Sequence, residues 1–413
     1  MSKIRIKNFG PINEGYLEND GWLDVKKVTV FIGNQGSGKS TVAKLISLFM
    51  WLEKALIRGD IKGPISHLVF YELTEFHRLE NYFTPQTEIE YEGAFYHLKM
   101  ERSANNNYIK TIQLTKLVNE SVGLPKIMYV PAERNFLSSI DNINKVSDLI
   151  VGSLKDFSVE FRNAQLAHKG KPLDLPINNT KVVYEPNDDQ NYLDLGGKRL
   201  KLSHASSGFH SIVPLYWVTK YMVDFVGQSE EKLLKLLSTD QTIRRNSELL
   251  ALNTSGLNEL EIRIQEKKIN GKYVSNNFVN IVEEPEQNLF PSSQKSILYS
   301  LLEFNNLNKA NKLIMTTHSP YLINYLTLSV EAHKLKSNIT TEELKQRLNN
   351  IVPLNATLNA EDLIVYQLNE INGTITKLKT YKGLPSDENF LNKGLEESNN
   401  LFSELLDIED LCQ

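Results

Sequence analysis

Apolar and polar positions in this 413-residue chain follow two different periods, and the changes between them mark out its elements. Ile4 and Ile6 alternate with polar residues up to Phe9-Gly10-Pro11, which predicts a strand and turn, and Glu14 to Leu17 is expected to pair with that strand. Val28 to Ile32 is a short unbroken apolar run, as in a strand buried on both faces, and Thr41 to Phe49 reads as a helix. From Glu88 to Leu114, alternating stretches (Ile89, Tyr91; Ala94, Tyr96, Leu98, Met100; Ile109, Ile112, Leu114) are separated by Gly93 and Asn105-Asn106-Asn107, predicting an antiparallel lobe. Ile127 to Val130 is another buried strand, ending at Pro131-Ala132-Glu133-Arg134.

Helical periodicity runs from Asn135 to about Lys171, followed by a polar, Pro- and Asn-rich stretch from Pro172 to Asp194. It returns from Ile212 to about Leu260, broken at Gly227. Neither stretch sustains the heptads of a long coiled coil, so two short insertions are expected. Phe278 to Val282 and Lys312 to Met315 are apolar runs ending in charged or polar residues, as site-bearing strands of a parallel sheet do. Asp362 to Leu368 and Thr374 to Thr380 flank Asn372-Gly373, a hairpin signal. Leu395 to Leu411 carries Leu401, Phe402, Leu405 and Leu406 among six acids, an amphipathic helix expected to pack on the chain's own core.

Apolar content of 41% and charged content of 23% are those of a soluble globular protein. A net charge of −4 gives no overall attraction to nucleic acid, and the small basic run Lys198, Arg199 and Lys201 reads as a solvated strand edge. The lone cysteine, Cys412, can form no internal disulfide, and no apolar run approaches the ~20 residues that span a bilayer. Met1 to Arg5 leads into a strand rather than a signal peptide, so a cytoplasmic protein without membrane contact is expected.

The chemistry begins after the Val28–Ile32 strand, at Gly33-Asn34-Gln35-Gly36-Ser37-Gly38-Lys39-Ser40, followed by Thr41. Glycines let backbone N–H groups turn inward on a phosphate, Lys39 brings a point charge to its outer oxygens, and the Ser40 hydroxyl is placed for Mg²⁺. The helix that follows directs its positive end at the same anion. This is a nucleotide-binding pattern. Downstream, the Phe278–Val282 strand ends in Glu283-Glu284-Pro285-Glu286; phosphoryl transfer to water needs one acid for Mg²⁺ and another for the attacking water. Lys312 to Thr317 leads into His318-Ser319-Pro320, where a histidine could meet a γ-phosphate from the far side. Between these motifs, Ala205-Ser206-Ser207-Gly208 precedes an apolar helix that Ser206 and Ser207 are expected to cap, leaving N–H groups free for an anion.

In this order the motifs resemble those of ABC-type ATPases of the SMC/RecF/OLD group, and most nearly the compact AAA-family ATPases of bacterial anti-phage defence operons. The resemblance rests on a Walker A loop at Gly33–Ser40, a signature-like Ala205–Gly208, a Walker B strand ending at Glu283–Glu286, a D-loop-like Gln287-Asn288-Leu289-Phe290-Pro291 and a switch histidine, His318. It implies an α/β P-loop NTPase fold of ABC-ATPase type, with a mixed central sheet, an antiparallel β lobe and helical insertions.

The expected organisation is a single domain over residues 1–413. Residues 1–134 hold the P-loop and antiparallel β lobe, 135–260 helical insertions and the signature helix, 261–394 the Walker B and histidine lobe, and 395–413 an acidic helix. The resemblance further implies ATP and Mg²⁺ as cofactors, with Lys39 on the β- and γ-phosphates, Ser40 and Glu283 on Mg²⁺, Glu284 as general base and His318 as γ-phosphate sensor. Ser206, Ser207 and Gly208 would meet the nucleotide of an opposite protomer in a homodimer or higher even oligomer. Two residues depart from the pattern: Glu283 replaces the usual Asp, and His210 stands where Gln is common. The Q-loop glutamine is missing as well, leaving Glu133 or Arg134 as candidates for coupling movement to nucleotide. The implied function is a slow ATPase acting as a switch for a separate effector, such as a nuclease or toxin, in anti-phage defence. The alternatives are a DNA-repair or chromosome-maintenance ATPase that binds DNA directly, and a nucleotide-locked scaffold that sequesters a toxin.

Overall fold

The computed structural model of the chain describes residues 2–63, 65–103, 106–117, 123–141, 149–253 and 257–411. Cys412, Asn105 of the expected turn and part of the expected 135–171 helical stretch lie outside the described residues.

Seven strands form the central sheet: β1 (Gly15–Tyr16), β2 (Val28–Gly33), β3 (Lys126–Val130), β4 (Phe278–Glu283), β5 (Lys312–Thr317), β6 (Leu363–Leu368) and β7 (Thr374–Lys377). Their spatial order is β1-β7-β6-β2-β5-β4-β3. β3, β4, β5, β2 and β6 run parallel, and β7 returns antiparallel to β6 through the expected Asn372-Gly373 turn. The unbroken apolar runs now have a reason. Val28, Val30 and Ile32 enter one hydrophobic core while Phe31 enters another, so β2 is covered on both faces.

On one face lie helix α1 (Lys39–Arg58) and a six-stranded antiparallel sheet containing Ser2–Phe9, Trp22–Val25, Phe83–Glu92, Tyr96–Ser103 and Asn106–Lys116. The expected antiparallel lobe is present. On the other face pack α2 (Ser207–Val226), α3 (Pro291–Asn306) and α4 (Pro320–Lys336).

Three expectations are corrected. Gly15–Tyr16 does not pair with the first strand: it joins β7 in the central sheet, and the first strand pairs with Trp22–Val25 and Phe83–Glu92. The polar stretch after Pro172 is a four-stranded sheet (Leu173–Asp174, Lys181–Glu185, Gln190–Leu195, Lys198–Lys201), because Val182, Tyr184 and Leu193 are buried. Lys198–Lys201 is its edge, as expected, with Arg199 bonded to Glu185 at 2.8 Å. Finally, the helix Phe390–Leu411 leaves Leu401, Phe402, Leu405, Leu406 and Ile408 between 46% and 62% exposed rather than packed on the core.

Candidate nucleotide site

Strand register assembles the site. In the parallel sheet Thr317 of β5 is level with Ile32 of β2, Glu283 of β4 with Thr316, and Leu368 of β6 with Gly33, so one edge collects the C-terminal ends. Such an edge is where open α/β sheets bind ligands.

β2 leaves the sheet at Gly33, whose φ is 149° and whose absent Cβ would lie 2.4 Å from the Leu368 carbonyl oxygen. Gly38, at φ 97°, is the N-cap of α1, and a Cβ there would press on Ile12. Between them Asn34, Gln35 and Gly36 are exposed, while Ser37 is buried with its hydroxyl unpartnered. Lys39 folds back over the loop, its ammonium donating to the carbonyls of Gly33 (2.9 Å) and Asn34 (2.7 Å). Burial pushes its pKa down, opposed by Glu284, Glu286, Glu370 and Glu283, which gather around the same charge. Ser40 and Thr41 occupy the first turn of α1, where backbone donors lack helical acceptors.

At the end of β4, Glu283 accepts a bond from the Ala132 N–H (3.1 Å) through one carboxylate oxygen, and the other is buried without a partner. Glu284 sits at φ 43°, a left-handed conformation that costs a non-glycine residue about 1 kcal/mol. Its N–H donates to the Thr316 carbonyl (2.9 Å), and its Oε1 lies 3.5 Å from Nδ1 of His318. That contact holds the Glu284 carboxyl below the usual carboxylate range and raises the His318 imidazole above its ordinary value. Glu286, buried behind them, accepts from the Thr317 hydroxyl (2.7 Å) and the His318 N–H (2.9 Å); its burial pushes its own pKa up.

The donors fit Mg²⁺ in character: a hydroxyl at the helix start and an unpartnered, buried Glu283 oxygen. Among the described residues no group of three or more His, Cys, Asp or Glu could hold a metal.

The signature segment lies elsewhere. Ser206 occupies the N-cap position of α2, yet its side chain makes no capping bond, which corrects the expectation of a side-chain cap. Ser206 and Ser207 are exposed, Gly208 stands beside the Asn288 carbonyl, and among the described residues no hydrogen bond joins this tip to the loop 33–40. His210 bonds the Leu202 carbonyl at 2.8 Å.

The chain has the fold of a P-loop NTPase. Residues 176–323, a little over a third of the chain, match the AAA ATPase domain family; this span contains the signature segment, the acidic pair and His318. No curated protein matches the chain. Among solved structures it overlaps an SMC head domain from Thermotoga maritima (10% identity, TM-score 0.39, covering 92% of this chain and 98% of that one). An SMC head from Pyrococcus furiosus, bound to the C-terminal domain of ScpA, gives 10% identity and TM-score 0.39, covering 98% and 100%. A dimeric ATP-binding cassette with ADP and Pi gives 11% identity and TM-score 0.28, covering 92% and 100%. At these scores the overlaps carry no functional inference.

The loop 33–40, the acidic pair and His318 lie together at one edge of the sheet. One contributor, Glu370, escaped the sequence motifs, and two others, Glu286 and Arg134, stood in them without these contacts. Glu370 accepts from the Asn34 side chain at 3.1 Å at the mouth of the loop, and only the sheet register brings it there. Glu286 sets the position of His318, although its place in the acidic run was visible. Arg134, one of two residues considered at the missing Q-loop position, is fully buried and bonds the carbonyls of both Glu283 and Glu284.

Proposed function

We propose that the protein is an ATP-hydrolysing switch that closes as a homodimer across two ATP molecules and controls a separate effector. The observation that carries this reading is the exposed, uncapped start of α2, with polar side chains and free N–H donors but no hydrogen bond to its own P-loop. A γ-phosphate held by a second copy supplies the anion that this tip lacks.

In this reading the loop 33–40 binds the triphosphate through backbone N–H groups, and Lys39 exchanges its two carbonyl acceptors for phosphate oxygens. Mg²⁺, held by Ser40 and Glu283, would neutralise charge on the phosphates. Glu284 is ionised and takes a proton from the attacking water, although the contact that lowers its pKa also lowers its basicity. His318, with Glu286 fixing its backbone, directs its imidazole at the terminal phosphate. Among the described residues no helix is long and apolar enough to cross a membrane. The setting in anti-phage defence follows from the motif resemblance.

Specific activity measured against protein concentration tests the pairing. Turnover per chain rises with concentration if each site needs two copies; constant turnover from nanomolar to micromolar protein contradicts it. Recovery of a separate effector chain with the wild-type protein supports the switch, and a self-sufficient nuclease activity of the protein alone counts against it; partner binding kept in Glu284→Gln but lost in Lys39→Ala supports the nucleotide-locked scaffold instead. Salt-sensitive binding of duplex DNA by the purified protein supports the DNA-maintenance alternative instead.

A further inference from the structure

The loop from Pro131 to Arg134 joins two parts of the site that otherwise lie apart. Arg134, fully buried, donates through Nε to the Ser211 carbonyl (3.1 Å) and through one terminal nitrogen to the Ser211 hydroxyl (3.1 Å). The same two terminal nitrogens reach the carbonyls of Glu283 (2.6 Å), Glu284 (2.7 Å) and Pro131 (3.2 Å). Two residues earlier, the Ala132 N–H holds the Glu283 carboxylate. Ser211 belongs to the first turns of α2, four positions after Ser207 at the exposed tip, and is itself fully buried.

A guanidinium is planar and rigid, so bonds on both sides fix the relative placement of the groups it joins. One side is the α2 helix. The other is the pair of carbonyls of Glu283 and Glu284, in the peptides on either side of Glu284, whose positive φ makes side-chain direction sensitive to their orientation.

The geometry points to Arg134 as a positioning residue that couples the two nucleotide sites of the dimer. This rests on the proposed pairing of α2 with a partner's nucleotide. When the Ser206–Gly208 tip engages the partner's γ-phosphate, displacement of α2 passes through Ser211 and Arg134 to the carbonyls of Glu283 and Glu284. It thereby sets the direction of the base acting on the protomer's own ATP. Each site is then competent only when the other is filled, and hydrolysis is cooperative in ATP. Glu133, exposed beside it, makes none of these bonds.

The test uses the full chain, wild type, Arg134→Lys and Ser211→Ala. Lysine keeps the charge but cannot bond Ser211 and both carbonyls in a fixed plane; Ser211→Ala removes one bond and leaves the rest of α2 intact. ATP-dependent dimerisation, equilibrium ATP affinity, kcat, the Hill coefficient for ATP and the melting temperature are measured for each. Expected are a Hill coefficient above 1.5 in wild type, falling toward 1 in both variants, with kcat about 10-fold lower in Arg134→Lys and ATP affinity within about 2-fold.

A general loss of packing lowers the melting temperature without this selective loss of cooperativity, which is why Ser211→Ala is included. Should wild type fail to dimerise with ATP, the pairing reading itself falls. Should it dimerise while the variants keep its Hill coefficient and kcat, or while wild type shows a Hill coefficient of 1, pairing stands and the role of Arg134 is overturned.

Discussion

His318 and Glu284 face each other across the C-terminal edge of the sheet, Nδ1 to Oε1 at 3.5 Å, with Glu286 holding the histidine's backbone from behind. They directly follow adjacent parallel strands, so their facing is set by strand register.

The pair makes stability depend on pH in two directions. Glu284, depressed in the folded state, contributes stability that is present above about pH 4.5 and lost as pH falls through its lowered folded value. His318, raised in the folded state, contributes stability that is complete below pH 6.5 and lost as pH rises through its raised folded value. His318→Gln should therefore flatten the decline of the melting temperature just above pH 6.5. Thermal denaturation of both proteins from pH 5 to 9 checks this, and an unchanged slope counts against the pairing of the two groups.

Glu284→Gln keeps the size of the side chain and removes the proton acceptor. Nucleotide affinity should stay near wild type while single-turnover hydrolysis falls by about 10²- to 10⁴-fold. A variant retaining normal turnover would place the base elsewhere.

Gly33→Ala places a methyl group 2.4 Å from the Leu368 backbone oxygen, which cannot move without disturbing β6. We expect the strain to cost about 1–3 kcal/mol and to abolish ATP binding by misdirecting the loop. Calorimetric melting together with nucleotide titration reads both effects.

Replacing Leu401, Leu405 or Leu406 with serine should change stability by no more than about 0.5 kcal/mol each, since these side chains are largely exposed. Denaturant unfolding of the purified chain distinguishes this from the several kcal/mol that loss of a core leucine costs.

Much of this was legible in the residues. The strand–loop–helix from Val28 to Arg58 declares itself through an apolar run, glycines and a lysine, because phosphate binding allows few local solutions. The runs at Phe278 and Lys312 foretold β4 and β5, since strands covered on both faces must be continuously apolar. Long-range pairing was less visible. Gly15–Tyr16 finds its partner more than 350 residues away in β7, and the four-stranded sheet after Pro172 hides its period of two behind asparagines and aspartates. Arg134 looked like one member of a charged turn, and only burial against Ser211 distinguishes it from exposed Glu133. The apolar stripe of Phe390–Leu411 has the pattern of a core helix, yet whether such a face is covered depends on tertiary placement.

The central claim, that ATP joins two copies through the tip of α2, is tested most directly by measuring the mass of the Glu284→Gln protein in solution. The account predicts twice the 47.2 kDa of one chain with ATP and Mg²⁺, and a single chain with ADP or after Ser207→Arg. A mass of 47.2 kDa with ATP demonstrably bound would contradict it.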